Sequence, residues 1–357
     1  MRCRNTLAIM TLFLAGKAAR AADPYKPDAG PYAVASFLAD WKDAGRPGGE
    51  VTVPVKLYYP KALAEVKEPV PLIVFSHGLG GSREGYEMWA EHWASQGYMV
   101  VLPTHAGSDT AAVVAALRAP DAATTAVAAV INAQTALRRV QDVSFVITHM
   151  EAANQGALDD PALAPFKGKV DVKHVGMAGH SFGAATTLMI AGETEGQLGR
   201  RSLGDGRVTA AIAMSPQPAV GTDQKTAFGS IKIPVLHLTG TLDDAPLNLG
   251  NVKAADRRIP FDNSTWPDTY LVIFKGATHM TFSARVTGQT PGAALRGLIN
   301  PAINTPEQET NVHTLIKEST TAFWDAYLKS DAKAKAWLQN DFAQVMGAAG
   351  TWEGKKK

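Results

Sequence analysis

The sequence predicts an α/β fold in which helices cover both faces of a mostly parallel central sheet. Short runs of consecutive apolar residues recur along the chain, which is typical of strands buried on both faces. Segments with helical spacing of apolar residues separate several of these runs, as crossover connections between parallel strands require. One apolar run passes through a glycine-flanked serine directly into a helical segment, VGMAGHSFGAATTL at Val175–Leu188.

The composition favours one large folded unit. Of the 357 residues, 46% are hydrophobic and 19% are charged, which is enough apolar material for a sizeable core. Glycine and proline are frequent but follow no period, which excludes collagen-like and low-complexity classes. Because no repeat and no change in composition divides the chain, we expect a single domain over residues 51–345. A lead-in over residues 22–50 and a tail over residues 346–357 would flank it.

The N-terminus has the pattern of an export signal. Arg2 and Arg4 precede the mostly apolar stretch Thr6–Gly16, which is too short to span a bilayer. Ala19-Arg20-Ala21 then fits a cleavage site between small residues. The sequence predicts a signal peptide over residues 1–21 and a secreted or periplasmic protein, with an uncleaved anchor as the alternative. No later stretch predicts stable membrane insertion.

Removal of residues 1–21 changes the charge and the cysteine content. The formal charge of +2 becomes −2, because four basic side chains and no acidic one are lost. A nearly neutral surface gives no electrostatic reason to expect nucleic acid as a partner. The single cysteine, Cys3, also leaves, so the mature chain would have neither a disulfide nor a thiol nucleophile.

The first half of the chain predicts three strands and a helix in order. Val51–Pro60 alternates apolar and polar residues, which predicts a strand with one solvated face. The apolar runs Leu72–Phe75 and Met99–Pro103 predict buried strands, and Tyr86–Tyr98 between them has helical spacing. The alanine-rich segment Thr104–Thr135 predicts loop and short helices beside a site.

The second half continues the alternation of helices and strands. Ala136–Met150 predicts an amphipathic helix, and Val175–Ala178 predicts the strand that ends near Ser181. A helix should begin at Phe182. The strands predicted after it are Val208–Pro216, Ile233–Gly240 and Thr269–Gly276. Asn311–Leu328 predicts a closing amphipathic helix.

Ser181 is the candidate nucleophile. It stands in Gly179-His180-Ser181-Phe182-Gly183, a Gly-x-Ser-x-Gly pattern between a strand and a helix. Glycine and serine also form ordinary turns, which is the structural alternative. A serine hydroxyl becomes an effective nucleophile only with a histidine base and an orienting acid. The remaining sequence therefore has to supply both groups.

A carboxylate and an imidazole follow later strands. Asp243 and Asp244 come just after a strand, and the Gly-x-x-Asp spacing favours Asp243 while Asp244 remains the alternative. His279 follows the last strand and is the candidate base. His105 also follows a strand and could line the pocket instead.

Backbone donors complete the expected site. The N–H of Phe182 follows the nucleophile, and the N–H of Leu79 lies in the glycine-rich segment HGLGG; both could stabilise an oxyanion. No phosphate-binding Gly-Lys-Ser/Thr, no Gly-x-Gly-x-x-Gly and no metal motif occurs in the sequence. We therefore expect no cofactor and no metal.

The order Ser181, Asp243, His279 is that of the α/β-hydrolases, and the chain resembles that superfamily from about Val51 to Leu328. The segments VFSHGLGGSREGYEMWAEHWASQGYMVV and RRVQDVSFV resemble platelet-activating-factor acetylhydrolase-like, dienelactone-hydrolase-like and cutinase-like esterases. The resemblance implies the α/β-hydrolase fold and a serine esterase that acts on small-molecule or lipid esters through an acyl-enzyme. Dienelactone hydrolases use cysteine where this chain has serine, so their substrate is not implied.

Alternatives from other classes remain open at this stage. The same residues could support an acyltransferase or an amidase. A catalytically silent binding protein of the same fold, or a structural envelope protein, would not need an intact triad.

Overall fold

The computed structural model describes residues 22–118, 123–195, 201–283 and 305–355, so the predicted signal peptide lies outside the described residues. The strands, in chain order, are β1 (Val34–Asp43), β2 (Val51–Pro60), β3 (Val70–Ser76), β4 (Met99–Pro103), β5 (Val170–His180), β6 (Thr194–Glu195), β7 (Arg201–Ser202), β8 (Val208–Met214), β9 (Val235–Leu242), β10 (Thr269–Thr278) and β11 (Gly350–Gly354). The α-helices are α1 (Glu87–Ser95), α2 (Thr110–Leu117), α3 (Ala123–Ala129), α4 (Ala133–Gln155), α5 (Phe182–Ile190), α6 (Gln224–Gly229), α7 (Ile259–Asn263), α8 (Pro306–Leu328), α9 (Ala332–Asn340) and α10 (Phe342–Met346).

The central sheet has nine strands in the order β1-β2-β4-β3-β5-β8-β9-β10-β11, and β6 pairs separately with β7. The six strands from β4 to β10 in that order pair in parallel. The pairs β1–β2, β2–β4 and β10–β11 are antiparallel, so the sheet is mixed at its edges. The predicted α/β fold with a mostly parallel sheet is confirmed. Because parallel strands end at the same edge, the loops after β3, β5, β9 and β10 meet there.

The core consists of layers on both faces of the sheet. All residues of β3 are buried, and alternate side chains enter opposite layers. Ile73 and Phe75 pack with the tryptophans of α1 and α8, whereas Leu72 and Val74 pack with apolar residues of α4. Burial on both faces explains why the sequence shows a continuous apolar run here.

Two strands lie in the segments that the sequence predicted as a lead-in and a tail. Val34–Asp43 forms β1, which pairs with β2 along its whole length, and Gly350–Gly354 forms β11. None of the strands predicted from the sequence covers these ten and five residues. Both strands lie at an edge of the sheet, where side chains are partly exposed, so neither needs an apolar run.

The helices α4 and α8 begin earlier than predicted. Asn132 and Thr135 form a reciprocal capping box at the start of α4, and Thr305 and Gln308 form one at the start of α8. These polar first turns lie outside the apolar period on which the prediction depended. Among the described residues, no helix is long and apolar enough to cross a bilayer.

Candidate active site

Ser181 occupies a strained turn between β5 and α5. Its backbone has φ 57° and ψ −118°, a region that residues with a side chain rarely adopt. A Cβ at Gly179 would overlap the carbonyl oxygen of Gly183, and a Cβ at Gly183 would overlap that of Ser76. The two glycines are therefore required by the close approach of backbone segments. The Ser181 N–H donates to the carbonyl of Met214 at 2.9 Å, which anchors the turn to β8.

Asp243 and His279 contact each other at the carboxyl edge of the sheet. His279 Nδ1 donates to Asp243 Oδ1 at 2.7 Å, and Thr239 Oγ1 donates to Asp243 Oδ2 at 2.8 Å. Asp243 is fully buried and His279 nearly so. Asp244 is exposed instead and accepts the N–H of Ala254 at 2.9 Å. Of the two aspartates that the sequence offered, Asp243 is the one beside His279.

Arg257 is a residue of this site that sequence reasoning missed. Its Nε donates to the Asp243 carbonyl at 3.1 Å, and the same atom lies 3.4 Å from Asp243 Oδ1. Its Nη1 donates to the carbonyls of Ser215 and Pro216, each at 3.1 Å. Burial lowers the pKa of Arg257, and the charge of Asp243 opposes that shift. An arginine in a polar loop carries no sequence signal that distinguishes this buried partner from a solvated one.

Ser181 and His279 line the same cavity, which has a volume of about 250 Å³. Its apolar wall includes Leu79, Val113 and Met280. None of the described residues that line it is Asp, Glu, Lys or Arg. Within the described ranges, no group forms a hydrogen bond with Ser181 Oγ, so the hydroxyl is free towards the cavity.

The Leu79 N–H in the loop after β3 is a backbone donor for which no acceptor lies among the described residues. The other donors of this turn are occupied: the Gly78 N–H donates to Tyr86 Oη, the Gly80 N–H to the Ser108 carbonyl and the Gly81 N–H to the Gly78 carbonyl, each at 3.0 Å. In the part of the chain that the structure describes, the Leu79 N–H has no acceptor. Leu79 also lines the cavity beside Ser181.

Phe182 supplies the second candidate donor. It is the first residue of α5, where N–H groups have no partner within the helix. Its ring is buried, and it stacks on the guanidinium of Arg139 with 4.2 Å between the guanidinium carbon and the ring centre. Of the two donors predicted from the sequence, Leu79 therefore lines the cavity with Ser181, and Phe182 directly follows Ser181 in the chain.

His180 braces the site without contacting the Ser181 hydroxyl. Tyr86 Oη donates to His180 Nδ1 at 3.0 Å, and His180 Nε2 donates to the carbonyl of His279 at 2.9 Å. Burial holds the pKa of His180 well below its usual value, so the ring is neutral. A neutral imidazole has one donor and one acceptor, which is what these two hydrogen bonds require.

His105 lies outside the lining of the cavity, in a buried polar network. Its Nδ1 donates to Asp142 Oδ2 at 2.9 Å, and its Nε2 accepts from Ser76 Oγ at 2.9 Å. Burial holds the pKa of His105 well below its usual value. Of the two histidines that the sequence weighed for the site, His279 is therefore the one in the cavity.

Part of the chain matches a known protein family. Residues 47–214 match the family described as platelet-activating factor acetylhydrolase, isoform II. The matched span runs from just before β2 to the end of β8 and contains Leu79, Ser181 and Phe182, but it ends before Asp243 and His279. This is a family of hydrolases within the α/β-hydrolase superfamily, in agreement with the strand order and with the resemblance found in the sequence.

Proposed function

We propose that this α/β-hydrolase is a serine esterase that cleaves carboxylic esters through an acyl-enzyme on Ser181. The observation that carries the proposal is the Ser181 hydroxyl, which has no hydrogen-bond partner in the described part of the chain and is held at a strained turn in the same cavity as His279. The contact of His279 with Asp243 supports it, because a base needs a fixed tautomer to accept a proton.

In the acylation step, His279 Nε2 removes the Ser181 proton while Oγ attacks the ester carbonyl. Asp243 accepts the Nδ1–H throughout, which keeps Nε2 free as the base and stabilises the imidazolium that forms. The N–H groups of Leu79 and Phe182 then stabilise the tetrahedral oxyanion, each by about 3 kcal/mol. His279 finally gives its proton to the leaving alcohol as the C–O bond breaks.

The deacylation step repeats the same proton transfers with water. His279 removes a proton from water, the hydroxide attacks the acyl carbonyl, and the proton returns to Ser181 Oγ as the acid leaves. The cavity favours an uncharged acyl group, because no charged side chain among the described residues lines it. Small-molecule or lipid esters with an uncharged acyl group match the uncharged lining of this cavity.

The test is covalent labelling combined with substitution. A fluorophosphonate should add its phosphonyl mass to the peptide that contains Ser181, and Ser181→Ala should lose the label and at least about 10⁴-fold in kcat for a p-nitrophenyl ester. Ser36→Ala is the matched control, because Ser36 is exposed on the edge strand β1, and it should keep both. Undiminished hydrolysis by folded Ser181→Ala would refute the proposal.

We also propose that the protein acts outside the cytoplasm. The support is the N-terminal pattern of basic residues, a short apolar stretch and small residues before Ala22. N-terminal sequencing of the exported protein should begin at Ala22. Recovery of the full-length chain in the cytoplasm would contradict this.

A further inference from the structure

Arg139 is a fully buried guanidinium directed at the loop after β3. It lies in α4 and has no exposed surface. Its Nη1 donates to the His77 carbonyl at 2.6 Å and approaches Ser76 Oγ at 3.3 Å, and its Nε donates to Ser108 Oγ at 2.9 Å. Throughout the described ranges, none of its hydrogen bonds goes to a carboxylate.

The neighbouring Arg46 shows what a buried arginine normally requires. Its Nε donates to Asp43 and its Nη2 to Asp142, each at 2.8 Å, so two carboxylates offset its desolvation. Among the described residues, the hydrogen-bond acceptors of Arg139 are all neutral. Burial lowers the pKa of Arg139 to about 9 although the charges of Asp142 and Asp109 oppose that shift, and this value still leaves the group charged at neutral pH. Burial of such a cation lowers the stability of the fold, so stability alone does not explain why an arginine stands at position 139.

The contacts of Arg139 join the two segments that carry the candidate oxyanion donors. The His77 carbonyl that it binds belongs to the peptide two residues before Leu79. Ser108, which it also binds, accepts the N–H of Gly80 through its own carbonyl. On the other side, the guanidinium stacks on the ring of Phe182. One rigid group thus touches both flanks of the loop and the first residue of α5.

We propose that Arg139 is a positioning residue that fixes the separation of the Leu79 and Phe182 N–H groups and provides a fixed positive charge behind them. This inference rests on the proposed function, because it concerns the oxyanion of that reaction. A preorganised cation in a site that excludes water favours negative charge that develops only in the transition state. Arg139 acts through these two donors and does not itself line the cavity.

The proposal predicts a loss in kcat with little change in KM. An interaction present only in the transition state lowers kcat and kcat/KM together when it is removed. Arg139→Gln removes the charge and should lower kcat by about 10²-fold, the size of one lost oxyanion contact. Arg139→Lys keeps the charge but loses the planar fork, and should recover about a tenth of the wild-type kcat. KM should stay within about threefold for both variants.

Arg46→Gln is the matched control for general damage to the buried network. It removes the arginine that pairs with both Asp43 and Asp142, so it should lower the free energy of unfolding by about 3 kcal/mol. Because Arg46 does not touch the loop or Phe182, kcat should stay within about threefold of wild type. If Arg46→Gln lowers kcat as much as Arg139→Gln does, the effect is general destabilisation and the proposal fails.

Fluorophosphonate labelling separates failure of this inference from failure of the proposed function. If the wild-type protein does not label at Ser181, the esterase proposal itself is wrong. If wild-type and Arg139→Gln both label to full stoichiometry and kcat is unchanged, the esterase proposal stands and the role of Arg139 is wrong. If Arg139→Gln does not fold, the kcat of Arg139→Lys tests the proposal instead. Because lysine lacks the planar guanidinium, an unaltered kcat in Arg139→Lys would also overturn the proposal.

Discussion

The described residues include two groups of a serine, a histidine and an aspartate, and these groups differ in what surrounds the serine. We call Ser181, His279 and Asp243 the open triad and Ser76, His105 and Asp142 the buried triad. The histidine-to-aspartate hydrogen bond measures 2.7 Å in the open triad and 2.9 Å in the buried one. The orienting geometry is therefore nearly the same in both.

The serines themselves are in different situations. Ser76 ends β3, has no exposed surface, and donates to His105 while Arg139 approaches the same oxygen. Ser181 stands at a positive φ, lines a cavity, and has no hydrogen-bond partner for its hydroxyl among the described residues. A hydroxyl, an imidazole and a carboxylate in series are therefore not enough to predict a nucleophile, because the buried Ser76 has such partners without access to a substrate. Access to a substrate and free backbone donors beside the hydroxyl are needed as well.

The largest expected difference between the two triads is in their histidines. His279→Ala should lower kcat by about 10⁴-fold or more, because it removes the proposed base for the Ser181 proton. His105→Asn should lower kcat far less and cost about 1–3 kcal/mol of stability, since Ser76 loses its acceptor. Steady-state kinetics and urea unfolding of both variants measure this. Equal losses of kcat would remove the distinction between the triads.

The next largest effect concerns the Leu79 N–H, the backbone donor that lines the cavity beside the open triad. The Gly78–Gly81 turn has an i to i+3 hydrogen bond, Gly80 takes φ 73°, and Leu79 does not adopt positive φ. This is a type II turn with Leu79 at the position that proline often occupies. Leu79→Pro therefore removes the N–H within a compatible backbone and should lower kcat by about 10²–10³-fold.

Leu79→Ala is the control for Leu79→Pro, since it shortens the side chain and keeps the N–H. It should retain most of kcat and change mainly KM, because the leucine side chain lines the cavity. A proline variant that is as active as the alanine variant would show that this N–H does not bind the oxyanion.

A smaller effect is expected from the group behind Asp243. Thr239→Val removes the hydroxyl that donates to Asp243 Oδ2 and leaves a buried carboxylate oxygen without that donor. A hydrogen bond to a charged group contributes about 1.5–3 kcal/mol, and loss of the lower amount in the transition state would lower kcat by about tenfold. The measurement is kcat at constant pH, with Thr239→Ser as the control that restores the hydroxyl. Full activity of Thr239→Val would show that Asp243 needs no second support.

The smallest effect is on the pH dependence of stability, and it belongs to the buried triad. Because burial holds the pKa of His105 well below its usual value, this histidine binds a proton more readily in the unfolded chain below about pH 6.5. Stability is then lost as the pH falls below that value, by up to about 1.4 kcal/mol per pH unit for one histidine. Urea unfolding of His105→Asn between pH 6.5 and 5 should show a correspondingly shallower slope than wild type. If the stability of His105→Asn and of wild type depended equally on pH, the attribution of this pH dependence to His105 would be wrong.

The sequence predicted the open triad better than the buried one, for a physical reason. Strand ends, glycines at a tight turn and a histidine after the last strand are local patterns, and they led to Ser181, Asp243 and His279. The predicted strands of the parallel centre were also found, because burial on both faces leaves an apolar run. The role of these residues in catalysis stays a prediction until it is measured.

The features that were missed depend on contacts between distant segments. Arg139 and Arg257 appear in the sequence as ordinary basic residues, and only the packing of α4 and of the loop after β9 buries them. His105 has the same local context as a pocket residue, yet its partner Asp142 is 37 positions away on α4. The edge strands β1 and β11 were missed because pairing along one edge leaves no apolar run.

Gly183, two residues after Ser181, packs so closely against the Ser76 carbonyl that no Cβ fits at position 183. The open triad and the buried triad are therefore in contact through this glycine. Any side chain at position 183 would push β3 away from α5, and would disturb the reactive turn and the buried hydroxyl together. Saturation mutagenesis of position 183 followed by selection for ester cleavage should recover only glycine. A redesign of either triad must therefore preserve the packing of β3 against α5 that both triads share.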